Sequence, residues 1–190
     1  MRTLLAAGTS ITAAAYIGAQ YSYANLLATQ ANYDHFYNRG LSGDYAAQLK
    51  TRLPALLTEA CPTHTILEEG INDVDRASIA TFQSDMNDCV SMVLDAGSSC
   101  TLAQFNLVRT TPHGLASPPY LQALENIAAN RGIPIIRWYA LYAVTWLTID
   151  GTTFDALFYD NRHPSISGHA LMAAEWNRPQ NAAALALLSA

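Results

Sequence analysis

Basic residues are scarce in this sequence. Of its 190 residues, 10 are Lys or Arg and 15 are Asp or Glu, which leaves a formal net charge of −5. Lys50 is the single lysine, and no run of Lys or Arg occurs. A protein that binds a phosphate backbone needs clustered positive charge, so the composition argues against a nucleic-acid partner.

Cysteines and long apolar runs are also few. Cys61, Cys89 and Cys100 have no metal-ligand spacing, and an odd number of cysteines cannot pair completely. We expect reduced, partly buried thiols. A Cys89–Cys100 disulfide is the alternative if the protein is exported. No segment reaches the ~18 apolar residues that a membrane helix requires. We therefore predict no membrane span, no metal ion and no cofactor, and the compartment stays undecided.

The N-terminus resembles a signal peptide, because an apolar run precedes the small residues Ala13-Ala14-Ala15. That run is short and is broken by Gly8, Thr9 and Ser10. We interpret residues 4–7 as a first buried strand that ends in a tight turn.

Apolar residues are abundant, at 51% of the chain against 13% charged, and the length suits one domain over residues 1–190. Short apolar runs alternate with stretches of helical spacing, which predicts a parallel sheet covered by helices on both faces. The predicted strands are 4–7, 34–37, 63–68, 101–108 and 133–139. The predicted helices are 13–31, 44–57 (with Pro54 as a late interruption), 77–96, 119–131, 167–176 and 182–188, and 110–119 is a proline-rich loop.

Unusual turns follow the predicted strands. Ser10 follows the first strand, Gly43 the second and Asn72 the third, and loops at the carboxyl ends of parallel strands form one crevice. Asp160 stands three residues before His163, ahead of the last helix. A serine nucleophile needs a histidine to take its proton, and that histidine needs a carboxylate, so Ser10, His163 and Asp160 are the candidate catalytic residues.

Four segments resemble the ordered blocks of the SGNH hydrolases, also called the GDSL esterase/lipase family. They are Gly8-Thr9-Ser10-Ile11-Thr12, Asn38-Arg39-Gly40-Leu41-Ser42-Gly43-Asp44, Gly70-Ile71-Asn72-Asp73 and Asp160-Asn161-Arg162-His163-Pro164-Ser165. The resemblance implies a three-layer α/β/α fold, flavodoxin-like, with five parallel strands. It also implies an oxyanion hole made by the N–H of Ser10, the N–H of Gly43 and the amide of Asn72. The family usually has aspartate where this chain has Thr9, and we expect that change to alter the support of the turn and leave the reaction class intact.

The implied function is a metal-independent serine esterase that works through an acyl-enzyme. Short loops between the blocks leave little room for a lid or a deep tunnel, which favours a small acyl group, and the family then makes a carbohydrate O-acetylesterase the first choice. A short-chain lipase, arylesterase or thioesterase is the alternative, because Ser42-Gly43-Asp44 and residues 52–57 resemble the lysophospholipase/thioesterase branch. A non-catalytic carbohydrate-binding module is a third hypothesis. A nucleotide-binding flavodoxin relative is disfavoured, because the first loop lacks a phosphate-cradling set of glycines.

The remaining polar residues are expected to be structural. No metal spacing links His35, His64, His113 and His169. Glu68 and Glu69 end a buried strand, where one of them faces the site or pairs with an arginine. The tyrosines and tryptophans are expected in the core or the crevice wall, and the oligomeric state stays open.

Overall fold

Five parallel strands form one sheet in the computed structural model, which describes residues 1–108 and 113–189. The strands are β1 (Thr3–Gly8), β2 (His35–Gly40), β3 (His64–Glu68), β4 (Ser99–Ala103) and β5 (Ile135–Ile136). Their order is β2-β1-β3-β4-β5, which is the flavodoxin-like order. The predicted α/β fold with a five-stranded parallel sheet is therefore confirmed.

Helices cover both faces of this sheet. In the described part of the chain they are α1 (Ser10–Ala13), α2 (Tyr23–Gln30), α3 (Ala46–Ala60), α4 (Ile79–Asp95), α5 (His113–Ala116), α6 (Pro118–Arg131), α7 (Trp138–Thr148), α8 (Gly151–Asp155), α9 (Ile166–Glu175) and α10 (Ala182–Ser189), with short 3₁₀ turns at Ala19–Tyr21, Asp73–Asp75 and Pro179–Asn181. α3, α4 and α6 pack side by side on one face, and α2 packs against α9 on the other. This arrangement is the three-layer sandwich that the resemblance implied.

The centre of the sheet is fully buried. Every residue of β1 and β3 is buried, whereas β2, at the edge, is half-exposed along its length. Central strands of a parallel sheet are covered by helices on both faces, which explains why residues 4–7 are a continuous apolar run without alternation.

Two glycines allow the chain to turn tightly at the carboxyl end of β1. The register pairs Gly8 with Gly40 on one side and with Glu68 on the other. A Cβ on Gly8 would lie 2.3 Å from the carbonyl oxygen of Glu68, and one on Gly40 would lie 2.1 Å from the backbone nitrogen of Ala13. Because neither strand end carries a side chain, α1 can begin directly against the sheet edge.

The predicted helix over residues 13–31 is wrong in its first half. Helix α1 ends at Ala13, the next residue Ala14 has a left-handed φ of 50°, and Gly18 has a φ of 95°. These conformations break the helical path, so the second helix begins at Tyr23, where Ser22 caps it. Spacing of apolar residues does not reveal such breaks when alanine fills the segment.

The fifth strand is shorter than predicted. β5 holds two residues, and the chain turns at Arg137 into α7, which the sequence analysis missed together with α8. β4 likewise ends at Ala103, well before Val108. β5 lies at the sheet edge and pairs only with the end of β4, so a longer strand there would have few partners.

Other boundaries differ less. α3 continues through Pro54 to Ala60, so proline does not interrupt it. Residues 113–116 and 118 onward of the expected proline-rich loop are helical, and its residues 110–112 lie outside the described residues. All three cysteines are free, with Cys61 exposed and the other two buried, so the optional disulfide is not formed. Across residues 1–108 and 113–189, no helix combines the length and apolarity needed to cross a membrane.

Candidate active site

Ser10 is the first residue of α1, immediately beyond the carboxyl end of β1. Thr9 caps this short helix, and its hydroxyl accepts a hydrogen bond from the N–H of Ile11. Ser10 is 9% exposed, so its hydroxyl sits at the floor of a cleft rather than on a free surface. A helix N-terminus leaves backbone N–H groups without helical partners, and the N–H of Ser10 is one of these.

Asp160 and His163 lie in the loop between α8 and α9, and both face Ser10. The Nδ1 atom of His163 is 2.8 Å from Oδ2 of Asp160, and its Nε2 atom is 2.9 Å from Oγ of Ser10. The other carboxylate oxygen of Asp160 accepts the backbone N–H groups of Arg162 and His163, each at 2.7 Å. The acid therefore orients the imidazole through both the ring and the loop backbone.

The charge on Asp160 fixes the tautomer of His163. Partial burial would raise the pKa of Asp160, but the hydrogen bonds from the His163 ring and from two backbone N–H groups outweigh it and hold the pKa below its ordinary value. An ionised carboxylate can only accept, so Nδ1 carries the proton and Nε2 offers its lone pair to the Ser10 hydroxyl. This is the arrangement in which a histidine can remove a serine proton.

Gly43 and Asn72 lie in the neighbouring loops after β2 and β3, and Ser42, the residue before Gly43, lines the same cavity as Ser10. The side-chain amide of Asn72 donates to the carbonyl of Asp44 at 2.7 Å, which joins the loop after β3 to the loop after β2. Gly43 has a φ of 79°, a conformation that favours glycine, and the side chain of Arg76 donates to its carbonyl. The Asn72 amide has a second N–H, and the N–H of Gly43 has no acceptor among the described residues.

An open cleft of about 260 Å³ contains the Ser10 hydroxyl. Its walls are Ser10, Ala13, Ala15, Tyr16, Ser42, Asp160 and His163. One wall is formed by the small side chains of Ala13 and Ala15. The ring centroids of Tyr16 and His163 are 4.7 Å apart. Two larger cavities formed by described residues, of about 320 and 360 Å³, contain none of the predicted site residues.

Tyr16 is a cleft residue that the sequence analysis did not single out. Its hydroxyl is 2.8 Å from Nε2 of His169, whose Nδ1 accepts the backbone N–H of Tyr23. A backbone N–H can only donate, so Nε2 of His169 carries the proton and donates it to Tyr16. Burial lowers the pKa of His169 to about 3, so this histidine is neutral, and it is buried in α9. No local pattern could have revealed a contact between residues so far apart.

His35, His64 and the three tryptophans are not among the residues that line the cleft. His35 is exposed, and His64 is buried in β3, where its pKa is lowered to about 4 by desolvation. His113 begins α5. Trp138 and Trp176 are buried in the core, whereas Trp146 is exposed, contrary to expectation. Within the described ranges, no group of three or more His, Cys, Asp or Glu side chains could hold a metal ion.

Glu68 and Glu69 have different surroundings although both are fully buried. Glu68 accepts hydrogen bonds from Thr9 and Thr12 on either side of Ser10. Thr9 and Thr12 thus attach the turn to the end of β3. Glu69 contacts no hydrogen-bond partner among the described residues, and neither glutamate pairs with an arginine.

Solved structures with similar folds include several ester hydrolases. TesA is 23% identical with a TM-score of 0.74, and the match covers 92% of this chain and 96% of that one. A mutant of Axe2, an acetylxylan esterase from Geobacillus stearothermophilus, is 19% identical with a TM-score of 0.79 and 92% coverage of both chains. The psychrotrophic esterase EstA from Pseudoalteromonas sp. is 20% identical with a TM-score of 0.73, covering 92% and 94%. At these identities the likeness shows the fold, and a search of curated proteins gave no match.

The sequence itself matches the model of a known family. That model, described as the GDSL-like lipase/acylhydrolase family, covers residues 6–171 and so includes the turns after β1, β2 and β3 and the loop before α9. The chain therefore belongs to the GDSL-like lipase/acylhydrolase family and is a hydrolase of carboxylic esters.

Proposed function

We propose that Ser10, His163 and Asp160 form a catalytic triad that hydrolyses small acyl esters, acetyl esters of carbohydrates foremost, within one domain over residues 1–190. The observation that carries the proposal is the continuous chain from Ser10 Oγ to His163 Nε2 at 2.9 Å and from His163 Nδ1 to Asp160 Oδ2 at 2.8 Å. Few arrangements other than acyl transfer explain a buried serine hydroxyl held in this way at the floor of a cleft.

The reaction follows from these contacts. Nε2 of His163 takes the Ser10 proton as Oγ bonds to the ester carbonyl carbon, and the carbonyl oxygen becomes an oxyanion. The imidazolium then returns its proton to the departing alcohol, which leaves an acyl-serine. In the second half His163 takes a proton from water, and the resulting hydroxide bonds to the acyl carbon. The bond between that carbon and Ser10 Oγ then breaks, Oγ takes the proton back from His163, and the carboxylic acid leaves.

The oxyanion needs donors that are already in place. The N–H of Ser10, the N–H of Gly43 and the free amide N–H of Asn72 are the proposed donors. The hydrogen bond from Asn72 to the carbonyl of Asp44 supports this role, because it holds the amide in one orientation before substrate arrives.

The size of the cleft supports a small acyl group. At about 260 Å³, lined by Ala13, Ala15 and Tyr16, it is small for a long acyl chain and open for a bulky alcohol. Axe2 acts on acetylated xylan, and solved catalytic mutants of it alter a serine, an aspartate and a histidine, the last two separated by three residues as Asp160 and His163 are. This parallel supports both the triad and acetyl esters of carbohydrates.

A second candidate, a short-chain lipase, arylesterase or thioesterase, is favoured by a different observation. Ser42-Gly43-Asp44 and residues 52–57 resemble the lysophospholipase/thioesterase branch. Arg52 of the second segment binds the Asp44 carboxylate of the first and the carbonyl of Arg39. A series of p-nitrophenyl esters of increasing acyl length, run beside acetylated sugars, separates the two. The acetylesterase is expected to peak at acetyl, and a peak on long chains would reject it.

A fluorophosphonate probe tests the triad directly, since EstA has been solved in a form inhibited by monoethylphosphonate. We expect stoichiometric labelling of Ser10 in the wild type and none in Ser10→Ala. Ser91→Ala, the same substitution on α4, serves as the matched control and keeps labelling and esterase activity. Absence of labelling in folded wild-type protein would favour the non-catalytic carbohydrate-binding module instead.

A further inference from the structure

Glu68, the last residue of β3, directs its carboxylate at the turn that carries Ser10. The side chain is completely buried. Its Oε2 atom accepts the backbone N–H of Thr9 at 3.1 Å, the hydroxyl of Thr9 at 2.9 Å and the hydroxyl of Thr12 at 2.9 Å. Since Thr9 and Thr12 flank Ser10, one carboxylate holds the turn on both sides of that serine.

The hydroxyl groups in this cluster donate along hydrogen bonds that end at the carboxylate of Glu68. Thr9 Oγ1 accepts the N–H of Ile11 at 3.2 Å, so its own proton is given to Glu68. The Thr12 hydroxyl also donates to Glu68, and the Tyr23 hydroxyl, 2.8 Å away, therefore donates to Thr12. The cluster presents three donors to one oxygen, an arrangement that suits a carboxylate and has no acceptor for a carboxylic acid proton on that oxygen.

We infer that Glu68 is a positioning residue, which holds the Thr9–Thr12 turn against the sheet and thereby fixes the direction of the Ser10 hydroxyl and N–H. The inference rests on the proposed function, because it matters for catalysis only if Ser10 is the nucleophile. Glu68 contacts neither His163 nor Asp160 and touches the reaction only through the turn. A misplacement of reacting atoms by about 1 Å can cost ~100-fold in rate, so a loosened turn is enough to slow turnover.

Removal of one of the three donors is expected to weaken the attachment of the Thr9–Thr12 turn to Glu68. Desolvation by burial raises the pKa of Glu68 to about 7, and the hydrogen bonds from Thr12 and Thr9 oppose this rise. The other titratable groups that face Glu68 are Tyr16, Tyr23 and Glu69. None of these supplies positive charge, so the donors of the turn are the contacts that oppose the rise in the pKa of Glu68.

Glu69 provides a matched control in the adjacent position. It is also completely buried, but neither of its carboxylate oxygens has a partner among the described residues. Desolvation, with the charge of Glu68 beside it, raises the pKa of Glu69 well above its ordinary value. Glu69→Gln keeps the shape of the side chain at a position with no hydrogen-bond partner to lose, and is expected to leave turnover unchanged.

The test compares Glu68→Gln with Glu69→Gln in the full-length protein. A glutamine at 68 places an N–H₂ group or a weaker acceptor against the three donors. We expect kcat to fall ~10- to 100-fold with KM within about threefold of wild type, and the rate of fluorophosphonate labelling at Ser10 to fall in parallel. Equal kcat in the two folded variants would overturn the inference.

A second pair covers the case in which Glu68→Gln does not fold. Thr9→Val keeps the shape of the side chain and removes the hydroxyl, whereas Thr9→Ser keeps the hydroxyl. We expect the Val variant to lose turnover and the Ser variant to retain it, and equal kcat in the two would overturn the inference. If Ser10→Ala keeps full activity or wild type is not labelled, the proposed triad has failed instead, which separates that failure from this one.

Discussion

Replacement of Asn72 by alanine tests the oxyanion hole with the least change elsewhere. Asn72 is 8% exposed, and its amide donates at 2.7 Å to the carbonyl of Asp44. Alanine removes both the proposed oxyanion donor and this hydrogen bond. The substitution therefore has two separate consequences, one on turnover and one on stability.

The two magnitudes differ enough to be told apart. Loss of one oxyanion donor costs ~100- to 1,000-fold in kcat, or about 2.7–4 kcal/mol. Loss of the buried hydrogen bond leaves the Asp44 carbonyl unsatisfied, at about 1–3 kcal/mol of unfolding free energy. In a domain of this size each kcal/mol lowers Tm by about 2–4 °C, so the variant remains folded at assay temperature.

Asn181→Ala is the matched control. Asn181 is 4% exposed, and its amide donates at 2.8 Å to the backbone carbonyl of Glu175, far from the cleft. It should lose comparable stability and keep kcat. Turnover of p-nitrophenyl acetate and thermal unfolding followed by circular dichroism are the assays. A folded Asn72→Ala protein with the kcat of the Asn181→Ala control would refute the assignment of Asn72 to the oxyanion hole.

Three further predictions concern the turn, the acid and a buried carboxyl. Gly40→Ala would place a Cβ 2.1 Å from a backbone nitrogen of α1, so we expect a lower Tm and a lower kcat. Gly151→Ala, with open space around its Cβ, is the control and should keep the wild-type Tm and kcat. Asp160→Asn should lower kcat by about 10⁴-fold with little change in KM, because an amide no longer holds the proton of His163 on Nδ1; retention of most activity would count against the triad. Burial raises the pKa of Asp73 from 3.8 to about 6. Protonation of Asp73 therefore contributes to the free energy of unfolding in full below pH 3.8, and this contribution is lost as the pH rises through about 6. The Tm of wild type minus that of Asp73→Asn should therefore decrease from pH 4 to pH 7, and a difference that stays constant would contradict it.

Local patterns were sufficient for much of the fold. The buried run at residues 4–7 and the amphipathic segment at 77–96 correspond to β1 and α4 with small shifts of boundary. Both have the period of their element over their whole length. The predictions failed at residues 13–31 and 133–139, where positive φ at Ala14 and Gly18 and the lack of a second partner strand for β5 override the local preference.

Short-range spacing also allowed the site to be anticipated in part. Asp160 and His163 are three residues apart, so a single turn is enough to bring ring and carboxylate to 2.8 Å. Tyr16 could not be foreseen, because its contact with His169 spans 153 residues and exists only after α2 packs on α9.

By itself the sequence determined the α/β fold class and the family. The four segments that resemble the family can be recognised by their order and spacing along the chain. It also named Ser10, Gly43, Asn72, Asp160 and His163 as candidates. Only the tertiary structure decided which of two adjacent buried glutamates supports the proposed nucleophile. Parallel pairing of β1 with β3 aligns Gly8 with Glu68, which puts that carboxylate, and not the one at Glu69, within hydrogen-bond reach of Thr9 and Thr12. Register is a property of the assembled sheet, and no residue in either strand encodes it alone.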